Sequence, residues 1–157
     1  MKIFLVSSNK NKALEIAKII SNRNDDLTIA PSFTTNENDI HEYMQLFDQE
    51  TISTSFRNNA LLYVITHENI SEGMTYDDFI NNDFICCTIK EFNMISNKIL
   101  NEFDINVIWI DSKTYGNLYR NDIYEVDYFE ERIERLDSEY FLDPDNEEVI
   151  DYIMEIL

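Results

Sequence analysis

Strand-length apolar runs alternate along this chain with segments of helical periodicity, and that alternation constrains the fold more than any other feature. Residues 2–7, opening Lys2-Ile3-Phe4-Leu5-Val6, read as a buried strand. Residues 12–22 follow as a helix with Ala13, Ile16, Ala17 and Ile20 on one face. A short second strand is predicted over 27–30, stopped by Pro31. Residues 32–50 read as polar and irregular, anchored by Tyr43, Leu46 and Phe47, and 51–59 as a short helix with Phe56 inward. A strand is predicted at 61–66, a turn at Gly73, and a helix over 76–82 with Thr75 as its N-cap. Residues 84–89 read as a strand, and 90–103 as a helix burying Phe92, Ile95, Ile99 and Phe103. The strand at 105–110 is the clearest of all. Residues 125–141 carry a helical stripe of Phe129, Ile133, Leu136 and Tyr140, and 147–157 read as a terminal helix after Pro144. This order predicts a three-layer α/β fold, a mainly parallel sheet with helices on both faces. No linker or repeat divides it, so a single domain over residues 1–157 is expected.

The apolar fraction of 44% supplies a core and excludes a disordered chain, despite a net charge of −19. No apolar run approaches the roughly 18 residues of a membrane span. The N-terminus enters a strand directly without a secretory pattern, so a cytoplasmic location is expected. Cys86 and Cys87 are adjacent, which suits two small buried residues rather than a disulfide or a zinc site. No metal-ligand cluster is predicted. The abundance of Asn, Ile, Lys, Asp and Tyr is that of an AT-rich genome, as in a virus or phage.

Charge is unevenly spread. Lys2, Lys10, Lys12, Lys18 and Arg23 face a single acid, Glu15, in the first 24 residues. From Gly116 to the end, fourteen acids stand against three arginines. The acidic end repels nucleic acid and anionic membrane, which excludes direct binding to either. The basic end suits a nucleotide or another small phosphate compound.

That basic end contains Val6-Ser7-Ser8-Asn9-Lys10-Asn11-Lys12-Ala13, a strand-to-helix turn, where a phosphate loop G-x-x-x-x-G-K-[ST] belongs. Lys12 takes the lysine position, and Asn9 and Asn11 stand where glycines are usual, as residues tolerant of a left-handed backbone. Val6 replaces the first glycine and Ala13 the hydroxyl that would hold Mg²⁺. Ser8, Asn9, Lys10, Asn11 and Lys12 are therefore the candidate cofactor-binding residues, with the helix N-terminus adding its own positive field. The alternative is a polar loop that only caps a helix.

Over residues 2–113 the pattern resembles the guanylate kinase family of nucleoside monophosphate kinases. Ser32-Phe33-Thr34-Thr35-Asn36 resembles that family's S-x-T-T-R segment, and Tyr43 follows at the distance of a tyrosine that contacts the acceptor phosphate. Leu61-Leu62-Tyr63 and Gly73-Met74-Thr75 resemble its F-[IL]-E and Y-G-[ST] pair. The resemblance implies ATP and Mg²⁺ as cofactors and Ser32, Thr35, Tyr43 and Thr75 as substrate-binding residues. It also implies Lys12 as a catalytic lysine, with Arg132 and Arg135 as lid arginines. The chain departs from the family at Asn36, where an arginine is usual, and at Tyr63, where a glutamate reads the base. Thr88 and Lys90 fall at the acidic D-x-D strand end. These departures imply a kinase-like nucleotide-binding protein with a degenerate phosphate loop and weakened or absent phosphotransfer.

Two further readings stand beside it. Ser7 to Glu15 is similar to the [ST]-x-N-x-x-K-x-x-E opening of the inosine triphosphate pyrophosphatase family, which implies a nucleotide hydrolase. The acidic C-terminal region also suits a non-enzymatic viral or phage protein that binds a basic partner surface. Among single residues, Asp77-Asp78 suits either a metal or a helix N-terminus, and Asp111 either a catalytic carboxylate or a strand-end turn. His41 and His67 have no partners at catalytic spacing.

Overall fold

The computed structural model describes residues 1–111, 123–136, 139–144 and 147–157. Strand β1 (Lys2–Val6) lies between β6 (Phe84–Cys87) and β7 (Ile105–Ile110), and β8 (Glu139–Leu142) adds outside β7. All three pairings are parallel. Side chains alternate across the pleat, so each strand feeds two cores. Phe4, Val6, Ile85, Cys87, Val107 and Trp109 pack on one face with Phe92 of α4 (Ile89–Asn93) and with Phe129 and Ile133 of α6 (Ile123–Leu136). Ile3, Leu5, Phe84, Cys86, Ile108 and Ile110 pack on the other with Ala13, Ile16, Ala17 and Ile20 of α1 (Lys10–Arg23). Val149 and Ile153 of α7 (Val149–Ile156) close that second core. Burial on both faces is why β1 and β7 read as nearly continuous apolar runs.

A second sheet corrects the expectation of one mainly parallel sheet. Its order is β3-β2-β5-β4, from β2 (Ser32–Thr34), β3 (Met44–Leu46), β4 (Leu61–His67) and β5 (Ile70–Thr75). β2 pairs with β3 in parallel and with β5 antiparallel, and β4–β5 is a hairpin. The hairpin turns at Glu68 and Asn69, both at positive φ (50° and 68°), the backbone that two-residue hairpins require. Gly73, expected at a turn, lies inside β5 opposite Phe33. A Cβ there would stand 2.3 Å from the Tyr63 carbonyl and 2.6 Å from the Phe33 ring, so its role is close approach.

Other boundaries move for identifiable reasons. The strand expected at 27–30 reduces to an isolated bridge of Ile29 with Phe84, and pairing resumes at Ser32. Helix α2 (Gln49–Arg57) is capped by Asp48 and buries Ile52, whereas Phe56, expected inward, is 65% exposed. The helix expected at 90–103 is split into α4 and α5 (Asn97–Asn101), because the side chain of Ser96 caps a new helix. The helix expected to reach residue 141 ends at Leu136, and 139–142, including Tyr140, pairs with β7 as β8. Thr75 caps α3 (Tyr76–Ile80) as expected. Among the described residues, no helix is long and apolar enough to cross a membrane.

Candidate functional site

Only Ser7, Ser8 and Asn9 separate β1 from α1. The Ser8 N–H donates to Asp111 Oδ1 at 3.0 Å, and the Ser8 hydroxyl reaches the same oxygen at 2.5 Å. The Trp109 indole N–H donates to Asp111 Oδ2. Both oxygens of this buried carboxylate are therefore occupied, and it serves as a strut for the turn. The Asn9 N–H donates to Ser7 Oγ at 3.0 Å, and the Asn9 side chain accepts from the Lys12 N–H as the N-cap of α1.

This geometry corrects the expectation of a degenerate phosphate loop. Asn9 is extended (φ −112°, ψ 93°) and Asn11 is helical. Among the described residues, positive φ outside glycine occurs only at Asn59, Glu68 and Asn69. The turn is too short to wrap a phosphate with successive N–H groups, and no left-handed residue bends it into a nest. What remains is the first turn of α1, where the N–H groups of Lys10 and Asn11 have no intrahelical acceptor.

That first turn forms one wall of a cleft of about 590 Å³, lined by Ser8, Asn9, Lys10 and Asn11. Asn38, Asp39, His41 and Glu72 form the opposite wall, and Thr88 and Glu91 lie beyond the end of β6. The cleft thus opens at the carboxyl ends of β1 and β6, between the turn and the second sheet, where α/β sheets commonly receive ligands.

Its charge runs against the expectation from the sequence. Lys10 Nζ is 3.2 Å from Glu91 Oε2. Glu91, with a side chain 5% exposed, is fixed from both ends: its Oε1 accepts the Thr88 N–H at 2.9 Å, while Thr88 Oγ1 accepts the Glu91 N–H at 3.1 Å. This reciprocal pair is the capping box that starts α4. Lys12 does not line the cleft and lies 3.7 Å from exposed Glu15. Lys18 pairs with Glu42 at 4.0 Å and Arg23 with Asp151 at 3.3 Å. Lys2 Nζ donates to the carbonyls of Phe79, Ile80 and Asn82 at 2.6–2.8 Å, and burial lowers its pKa. Every cation of the N-terminal basic stretch therefore has a protein partner.

The expected lid arginines do not meet the cleft. Arg132 is buried and donates to the carbonyls of Phe92 (2.9 Å) and Ile95 and to Asn97 Oδ1. It fills acceptors left by the break between α4 and α5, and desolvation lowers its pKa. Arg135 pairs with Glu131 at 2.7 Å on the exposed side of α6.

Of the expected substrate residues, Ser32 and Tyr43 line a small cavity of about 30 Å³ with Lys10, Asn11 and Cys86, behind the cleft. Burial raises the Tyr43 pKa, and Glu42 adds to the shift. The Thr35 hydroxyl accepts the Ser71 N–H at 3.0 Å and ties β2 to β5. The Thr75 hydroxyl accepts the Asp78 N–H at 3.1 Å as a helix cap. Asp78 also accepts from Gln45 at 3.1 Å, and the described residues hold no group of three potential metal ligands. Cys86 and Cys87 are free and buried, and burial pushes the Cys86 thiol up to about 12. The sequence reading missed Asp39, Glu72 and Glu91. The signature Thr88-Ile89-Lys90-Glu91, a T-x-x-E capping box, was available for the last of these.

No family model matches this chain, and no curated protein matches it. Among solved structures it is similar to guanylate kinase from Anaplasma phagocytophilum. The TM-score is 0.61 at 14% identity, over 99% of this chain and 83% of that one. The chain therefore has a nucleotide-kinase-like α/β fold.

Proposed function

We propose that the protein binds a nucleoside phosphate in the cleft between the β1–α1 turn and the second sheet, and transfers its phosphoryl group poorly or not at all. The observation that carries this reading is the position of the cleft. It lies at the carboxyl ends of β1 and β6, beside the N-terminus of α1, in a fold similar to that of a guanylate kinase.

The expectation of weak transfer rests on charge. Phosphoryl transfer depends almost entirely on positioned cations and Mg²⁺. Among the described residues the cleft offers one lysine, Lys10, against Asp39, Glu72 and Glu91. Mg²⁺–ATP does not fit the turn. Ala13 supplies no hydroxyl, and no nest of N–H groups surrounds a triphosphate. The cleft is therefore a site for binding and not for transfer from ATP.

The test is calorimetric titration with nucleoside mono- and triphosphates, with and without Mg²⁺, alongside product analysis. Binding without ADP formation supports the reading. Pyrophosphate release from a triphosphate alone replaces it with a pyrophosphatase-like hydrolase. Silence throughout favours a partner-binding protein. One observation favours that last role. The exposed side of α6 presents Asp127, Glu131 and Glu134 beside Tyr124, which is 87% exposed, a chemistry suited to a basic protein surface.

A further inference from the structure

We infer that Glu91 is a built-in competitor for the cleft's anion site: the Lys10–Glu91 pair is an autoinhibitory contact that withholds from a phosphate the only lysine among the described residues of the lining. The inference rests on the proposed reading of the cleft as a phosphate site.

Lys10 is placed for an anion. It is the first residue of α1, its N–H and that of Asn11 are among the donors the helix leaves open, and it lines the cleft. Its ammonium is nevertheless turned to Glu91 at 3.2 Å. Glu91 cannot swing away cheaply. Its second oxygen holds the Thr88 N–H, its own N–H is held by Thr88, and the next residue, Phe92, is fully buried in the core. Asp39 and Glu72 add negative charge, and among the described residues the lining holds no second lysine and no arginine.

An incoming phosphate then has two routes. It can draw Lys10 from Glu91, which leaves a buried carboxylate without its counter-charge. Or it can bind beside the intact pair, within the field of Glu91 and with little net positive charge to meet it. Both routes weaken binding. The gate opens when the Glu91 charge is removed, because a neutral amide still accepts the Thr88 N–H and no longer holds the ammonium.

The experiment is titration of ¹⁵N-labelled protein with inorganic pyrophosphate at low ionic strength, following the amides of Asn9, Lys10 and Asn11. Glu91→Gln is expected to bind at least tenfold more tightly than the wild type. Adding Lys10→Met to that variant is expected to remove the gain. Glu91→Met, which also removes the charge, serves if Glu91→Gln does not fold. Unchanged or weaker affinity in a folded Glu91 variant, or a gain that survives Lys10→Met, overturns the autoinhibitory contact. In those cases wild-type binding at these amides leaves the phosphate site standing. Absence of binding by every folded variant overturns the contact and the phosphate reading together.

Discussion

Ser8 and Asp111, 103 positions apart in the chain, are joined by two hydrogen bonds to one carboxylate oxygen, from the Ser8 N–H at 3.0 Å and the Ser8 hydroxyl at 2.5 Å. The end of β7 thereby sets the turn that opens the cleft. Replacing Asp111 with Ala removes the acceptor for the Trp109 indole as well. Leaving buried donors unpaired costs about 1–3 kcal/mol each when they cannot reach water. Asp111→Ala is expected to lose about 2–4 kcal/mol in urea unfolding, with the m-value unchanged. A loss below about 0.5 kcal/mol would show that the turn does not depend on this strut.

Arg132 is a structural residue in this account. Its guanidinium satisfies the carbonyls of Phe92 and Ile95 at the break between α4 and α5. Arg132→Met keeps the length and removes the donors, and is expected to lower stability by about 2–4 kcal/mol. A lid arginine would give the opposite pattern in thermal unfolding and nucleotide titration, with stability kept and nucleotide response lost.

How much of this was legible in the sequence follows from burial and sequence distance. β1 and β7 could be read because both faces are buried, so the apolar run is uninterrupted. Helix α1 could be read because one face alone is buried. Of the second sheet only β4 could, as the strand at 61–66, since β2 and β3 are three-residue strands in a polar stretch and the hairpin turns at Glu68-Asn69 without glycine. β8 was hidden because Tyr140 continues the helical spacing of α6. The basic N-terminal stretch suggested an anion site, but four of its five cations find partners far along the chain or on backbone carbonyls, as Lys10 does with Glu91, and the other finds Glu15 one turn away. Sequence spacing within the stretch does not encode the distant partners.

The thiol of Cys86 is held neutral by burial, with its pKa raised to about 12. The sign follows from proton linkage. Below an unfolded thiol pKa of about 8.5 both states are protonated and the thiol costs nothing. Above it, the unfolded state releases a proton that the folded state retains, so stability falls as pH rises, until the folded thiol ionises near 12. Unfolding measured from pH 7 to pH 10 should show this decline in the wild type and a shallower one in Cys86→Ala. Equal slopes would contradict it.

Turnover should be low. The turn lacks a nest, and Lys10 is engaged by Glu91. Each missing donor that acts in a transition state typically costs about 10²–10³ in rate. ADP formation at saturating ATP and monophosphate is expected far below about 10 s⁻¹, the median for enzymes. A rate at or above that value would place the chemistry elsewhere in the molecule.

The central claim is that the cleft between the β1–α1 turn and the second sheet is where a nucleoside phosphate binds. Backbone amide shifts during titration with nucleoside monophosphates test it most directly. The account predicts saturable shifts that cluster at Ser8, Asn9, Lys10 and Asn11 and across the cleft at Asp39 and Glu72, the residues that line it. Saturable shifts confined to another surface, or none with any nucleotide, would contradict it.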